Sequence, residues 1–218
     1  MGSPVSQSWI MTVSGGYFRD MGRKKSGKKV VQDFKRALGR IVAFTEEVTV
    51  SGLGKQSITW AYEAALIRTY VEFERLMLDC IVTAINNDTD GTIGLRTNVS
   101  FPKHLTDEVC EYLVIKEGYF DFKGRDGLIR KIREYLPDRH WLIEVIRKQS
   151  YVGPINTLVA LRNFAAHDSP RSKRAAAAAV GASRLSSAGA WIKCNQRFPL
   201  MIKELTRFAD ELEGRWPY

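Results

Sequence analysis

The sequence predicts an all-α protein, and three observations carry this prediction. Apolar residues recur at helical spacing over several long segments of the 218-residue chain. Glycine, proline and asparagine clusters separate these segments at positions where helices commonly end. With 44% hydrophobic residues, the chain can also bury a substantial core. We therefore expect a single bundle of helices with few or no strands.

The first half of the chain predicts two long helices. One covers residues 30–48 and the other residues 58–85, and the Gly-rich stretch 51–55 separates them. One face of the second helix alternates in charge and predicts an ordinary solvated ladder; it carries Arg68, Glu72, Arg75 and Asp79. Residues 92–105 predict irregular structure.

The second half predicts shorter helices. Thr106 and Asp107 can cap a helix that ends near Lys116. Pro154 in a first turn opens a helix over 154–166, which the sequence Asp168-Ser169-Pro170 ends. The remaining predicted helices cover 124–136, 141–148, 175–180 and 195–212. The tryptophans assigned to helix packing are Trp60, Trp141, Trp191 and Trp216.

Positive charge is concentrated in two stretches. Residues 1–29 are Gly/Ser-rich with a net charge of +5, and we interpret them as a flexible basic arm before a single helical domain over 30–218. Residues 169–203 contain seven basic residues and no acidic one, within a whole-chain net charge of +9. A polyanion is the partner that two such stretches favour, because each neutralised phosphate releases a counterion. A solvated basic surface without a ligand is the alternative.

The sequence also excludes several classes of protein. The longest apolar run, 76–85, contains Asp79 and is shorter than the ~18 residues of a membrane span. The three cysteines are widely spaced, which disfavours a disulfide framework or a zinc site. We therefore expect a cytoplasmic protein with no membrane association, no metal and no cofactor.

The most informative stretch is the helix 154–166 with His167 at its end. Its residues are apolar on nearly every side, so it is expected to lie at the centre of the fold. Arg162 interrupts the apolar face, and a buried guanidinium is costly unless it is paired or opens onto a cleft. Arg162 therefore either has a carboxylate partner or faces a ligand. An ideal helix places it about 140° from His167, and the length of its side chain can close that gap.

The segment from Arg162 to His167 resembles the signature of the HEPN superfamily (higher eukaryote and prokaryote nucleotide-binding domains). That signature is an Arg, a polar residue, a short spacer and a His near the end of a helix in an all-α bundle. Asn163 occupies the polar position. The resemblance implies a HEPN-like bundle and metal-independent endoribonuclease activity, in which the RNA 2′-OH attacks the adjacent phosphate. It assigns acid/base chemistry to His167, charge stabilisation to Arg162 and positioning to Asn163.

The resemblance further implies RNA as substrate, a homodimer in which two motifs line one cleft, and a role as a toxin or in antiviral (phage) defence. An antitoxin or regulatory protein is a further possible partner. The basic residues Arg171, Lys173 and Arg174 follow His167 closely in sequence, and we expect them to contact the RNA backbone.

Two acidic residues are candidates for supporting roles. Glu74 lies among apolar neighbours on the long helix and could pair with Arg162 or orient His167; a structural ion pair is the alternative. Asp168 adjoins His167 and could tune it, although Asp before Ser-Pro is also a routine helix end.

Two other functions stay open at this stage. The first is a non-catalytic HEPN-like dimer that binds nucleic acid or a nucleotide. The second is an interaction protein in which Arg162 and His167 only satisfy a buried network.

Overall fold

A computed structural model describes residues 24–96, 101–102, 105–116 and 118–217. Within these ranges the protein is all-α and has no strand, as predicted. The described helices are α1 Gly27–Val50, α2 Lys55–Asn87, α3 Asp107–Ile115, α4 Gly124–Ile132, α5 Trp141–Arg147, α6 Val152–His167, α7 Pro170–Ala179, α8 Ala188–Ile192 and α9 Arg197–Arg215. Two 3₁₀ turns, Ile93–Arg96 and Gln149–Tyr151, complete the fold.

Helices α1 and α2 form an antiparallel hairpin whose connection is the Gly-containing stretch 51–54. The apolar face of α1 packs against α2 and α9, and α9 buries Phe198, Leu205, Phe208 and Leu212. Helix α2 buries Phe73, Met77 and Ile81. Among the described helices, none is long and apolar enough to cross a membrane.

Helix α6 occupies the centre of the bundle, as its apolar composition predicts. It packs against α2, α4, α7, α8 and α9, and Ile155, Leu158, Leu161 and Phe164 are buried in these contacts. The chain leaves α6 through Asp168, which adopts a left-handed conformation with φ 38° and donates its N–H to the carbonyl of Phe164 at 3.0 Å. The predicted helix end at 168–170 is therefore confirmed.

The boundary between the basic arm and the helical domain lies earlier than predicted. Residues 27–29 belong to α1, because the helix begins at Gly27 rather than at residue 30. Lys25, two residues before the helix, is also held against the bundle. It forms an ion pair with Asp79 at 2.7 Å, and its backbone N–H donates to the carboxylate of Asp107. Residues 1–23 of the predicted arm lie outside the described residues.

Three helices of the second half also depart from the predictions. Helix α4 ends at Ile132 and the chain turns before Leu136, and α8 covers Ala188–Ile192, where no helix was predicted. Helix α7 begins at Pro170 rather than at residue 175. Ser169 and Ser172 form a capping box in which each side chain bonds to the other's backbone N–H, at 3.1 and 3.0 Å. The Ser-Pro pair that ends α6 therefore also starts α7.

The capping box leads to a stability prediction. Ser169→Ala removes the acceptor for the Ser172 N–H and is expected to lower the free energy of unfolding by about 1 kcal/mol. Chemical denaturation followed by circular dichroism measures this change. Ser183→Ala, at an exposed loop serine, is the control and should leave stability unchanged. Equal stability of the two variants would show that the cap contributes nothing.

Candidate functional site

One face of α6 opens onto a groove of about 720 Å³. Asn156, Ala160, Asn163 and His167 line this groove, and their spacing of i, i+4, i+7 and i+11 places them on a single helical stripe. The buried residues Ile155, Leu158, Leu161 and Phe164 lie on other sides of the helix. The helix therefore contributes both to the core and to the wall of the groove.

Arg162 reaches the same groove from the flank of that stripe. Its Nη1 donates a hydrogen bond of 2.9 Å to Oδ1 of Asn163, and the residue lines the groove together with His167. Because five residues turn an ideal helix by about 500°, a straight side chain would point away. The bond to Asn163 thus draws the guanidinium toward the face that carries His167.

The guanidinium of Arg162 is supported by an aromatic ring. Its central carbon lies 4.5 Å from the ring centroid of Tyr70 on α2, a cation–π arrangement. In the described part of the chain Arg162 forms no ion pair, and its buried Nε has no hydrogen-bond partner. Arg162 was expected either to have a carboxylate partner or to face a ligand. Its position at an open groove agrees better with the second expectation.

Glu74 lies on α2 one turn beyond Tyr70. Burial raises the pKa of Glu74, whereas a hydrogen bond with Tyr70 and the charge of Arg162 act in the opposite direction. Burial also raises the pKa of Tyr70, and the Glu74 carboxylate adds to that effect. Glu74 therefore interacts with Tyr70 and Arg162 rather than lining the groove with His167.

The opposite wall of the groove is the loop that leads into α4. Asp121, Lys123 and Gly124 line it. Gly124 has φ +64°, and a Cβ there would lie 2.7 Å from Oδ1 of Asn156, the atom that accepts the N–H of Arg125 at 2.9 Å. Asn156 therefore ties the loop to α6 in an arrangement that glycine allows.

The third wall is the first turns of α7. Ser169, Arg171 and Ser172 line the groove, and no acidic residue occupies the first turn of this helix. The positive end of a helix dipole disfavours nearby cations, so Arg171 adds positive charge where the dipole already contributes it. This wall favours an anionic ligand.

The predicted site residues fall into two groups. Arg162, Asn163, His167 and Arg171 line the groove together. Asp168 is exposed in the connection to α7, and Lys173 and Arg174 are exposed on α7 without lining the groove. Lys173 lies on the far side of α7, because it is about 200° from Arg171 around the helix.

Several groove residues are not among the predicted site residues. Asn156 could have been found by extending the stripe of His167 and Asn163 back by two turns at helical spacing. Lys123 and Asp121 carried no such signal, since only the packing of α4 on α6 brings their loop to the groove. The contact of Tyr70 with Arg162 could not be predicted either, because nothing in the sequence distinguishes Tyr70 from the other residues of its long helix.

The arrangement provides three chemical capacities. Arg162 lines the groove with its Nη1 bonded to Asn163, and a guanidinium has further Nη donors of the kind that recognises phosphate. His167 supplies an imidazole that can accept and return a proton. The groove is open, and its volume lies within the range of small-molecule and cofactor sites.

In comparisons with known proteins, no protein-family model, curated protein or solved structure matches this chain.

Proposed function

We propose that this protein is a HEPN-type, metal-independent endoribonuclease. The single observation that carries the proposal is that Arg162, Asn163 and His167 line one open groove. The spacing of these residues resembles the HEPN signature, and the groove offers the surface that such chemistry needs. A role as a toxin or phage-defence effector, with an antitoxin or regulatory protein as partner, follows from the resemblance.

The proposed reaction is an internal transesterification of RNA. The 2′-oxygen forms a bond to the adjacent phosphorus while its proton passes to a base, and the bond from phosphorus to the 5′-oxygen breaks as that oxygen gains a proton. The products are a 2′,3′-cyclic phosphate and a 5′-OH. His167 transfers the protons, and Arg162 stabilises the negative charge on the non-bridging oxygens.

Asn163 has a positioning role in this proposal. Its Oδ1 accepts the Arg162 Nη1 hydrogen and holds the guanidinium at the groove, where the other Nη donors can bond a phosphate. The Tyr70 ring contacts the same group, with the central guanidinium carbon 4.5 Å from the ring centroid. An arginine held by two such contacts loses less side-chain entropy when it binds a phosphate.

An apolar stripe on α2 supports the homodimer that the proposal includes. Trp60 is 62% exposed and Val71 40% exposed, and Ile67 and Leu78 lie partly exposed on the same helical face. The prediction that Trp60 is a packing residue within the chain is therefore wrong. A second copy that packs on this stripe would bury it. The contact would lie near Tyr70 and Glu74, the residues that support Arg162.

The experiment that tests the function uses RNA lacking one 2′-OH. Total cellular RNA is incubated with the protein, a cut site is mapped, and a short RNA containing that site is synthesised. We expect the parent RNA to give 2′,3′-cyclic phosphate and 5′-OH ends. A single 2′-deoxy substitution at the nucleotide 5′ of the cut should abolish cleavage.

The matched control carries the 2′-deoxy substitution one nucleotide downstream and should be cut normally. Cleavage of the deoxy-substituted site, or products with 5′-phosphate ends, would exclude the transesterification. RNA binding without any cleavage would instead support the non-catalytic dimer.

A further inference from the structure

A second groove lies between α1 and α2, apart from the groove of Arg162. It has a volume of about 730 Å³, and its lining contains seven basic and three acidic side chains. None of the residues of the first groove contributes to it. The predicted solvated ladder of α2 forms one of its walls.

The charges of this groove are only partly compensated. All three acidic residues are taken up in ion pairs: Lys25 with Asp79, Arg36 with Asp33 and Arg68 with Glu72. Lys29, Arg40 and Arg75 are exposed and form no ion pair in the ranges that the structure describes. The groove therefore retains unpaired positive charge on both of its walls.

The basic side chains of the groove are arranged in a row rather than around one point. On one face of α1 the unpaired Lys29 and Arg40 lie at i and i+11, with the ion-paired Arg36 between them at i+7, and the unpaired Arg75 faces them from α2. A ligand that repeats its negative charge along its length matches this arrangement better than one compact anion does. A nucleic-acid backbone is such a ligand.

An apolar floor continues the groove toward the tip of the hairpin. A neighbouring pocket of about 320 Å³ shares Arg40 and Arg68 with the basic groove, and Ile41 and Phe44 line it. Phe44 is 43% exposed, one helical turn beyond Arg40. A basic groove with an exposed aromatic residue is the arrangement that binds single-stranded nucleic acid, because bases stack on the ring.

We infer that the α1–α2 groove binds single-stranded RNA at a distance from the cleavage groove. Resting on the proposed function, this inference assigns to the groove a segment of the substrate beyond the cut site. Arg68 and Arg75 lie about 140–160° from Tyr70 around α2, so the two grooves open on different sides of that helix. Only an RNA long enough to pass round the molecule reaches both.

The test is a double charge reversal, Arg40→Glu with Arg75→Glu. A fluorescein-labelled 2′-O-methyl oligouridylate, which lacks the attacking hydroxyl, measures binding by fluorescence anisotropy. We expect the variant to bind at least about tenfold more weakly, with the salt dependence of log Kd reduced by about two. The matched control, Arg130→Glu with Arg139→Glu, changes the net charge equally at exposed positions outside both grooves.

Cleavage assays separate this inference from the proposed function. For a long RNA the α1–α2 variant should show a raised KM and an unchanged kcat, whereas a short RNA that fills only the first groove should be cut as by the parent. If no RNA is cut but oligouridylate binding depends on Arg40 and Arg75, the inference holds and the nuclease proposal fails.

Two results would overturn the inference. One is equal binding of oligouridylate by the α1–α2 variant and its control. The other is a variant that loses binding of labelled poly-glutamate while retaining that of oligouridylate, which would assign the groove to an acidic protein. Thermal melts of both variants establish that they are folded.

Discussion

His167→Ala is expected to lower the rate of RNA cleavage by about a thousandfold, because a positioned proton-transfer group contributes on that order. His167 is exposed in the last turn of α6, so its removal opens no cavity. The stability cost should stay within about 0.5 kcal/mol, as is usual for a substitution at an exposed position. Single-turnover cleavage and thermal melts measure the two effects.

His140→Asn is the matched histidine control. Nδ1 of His140 accepts the N–H of Leu142 at 3.2 Å and caps α5, and burial lowers the pKa of His140 to about 4. Asparagine preserves a capping acceptor, so this variant should cut RNA at the parent rate. If His167→Ala cleaves RNA at the rate of the control, His167 has no role in the reaction.

Arg162→Ala is expected to reduce cleavage by about a hundred- to a thousandfold through the loss of charge stabilisation at the phosphate. The variant also loses the cation–π contact with Tyr70, which is worth about 1 kcal/mol, so some loss of stability should accompany the loss of activity. Initial rates on the mapped short RNA and chemical denaturation provide the measurements.

Arg162→Lys separates charge from geometry at the same position. A lysine retains the positive charge but lacks the planar fork that can bond Asn163 and a phosphate together. We expect the lysine variant to remain close to the alanine variant in rate. If both variants lose stability while the parent cuts no RNA, the residues serve a structural network and the chain acts as an interaction protein.

The long helices were predictable because their apolar residues alternate with polar ones at regular intervals. The helices predicted over 30–48, 58–85 and 195–212 correspond to α1 Gly27–Val50, α2 Lys55–Asn87 and α9 Arg197–Arg215. Helix α7 was placed too late because Ser169-Pro170 was interpreted only as the end of α6. Ser169 and Pro170 stand at the junction of α6 and α7. Because they were assigned only to the end of α6, the start of α7 at the same residues was not predicted.

The candidate site was predictable only along one helix. Arg162, Asn163 and His167 are neighbours in sequence, so a local pattern could identify them. The loop residues Asp121 and Lys123 join them through the packing of α4 on α6, which no local pattern encodes. The basic groove could not be predicted for the same reason. Its charged residues on α2 face residues of α1, and only the packing of the two helices brings them together.

The short connection between α6 and α7 has a consequence for the rigidity of the first groove. Only Asp168 and Ser169 separate the two helices, and α6 is locked in the middle of the core. This side of the cleft is thus preorganised, with its ordering entropy already spent during folding. The 121–124 side is tied to the same helix, because Asn156 accepts the N–H of Arg125 at 2.9 Å, so a ligand of this groove must fit a largely fixed shape.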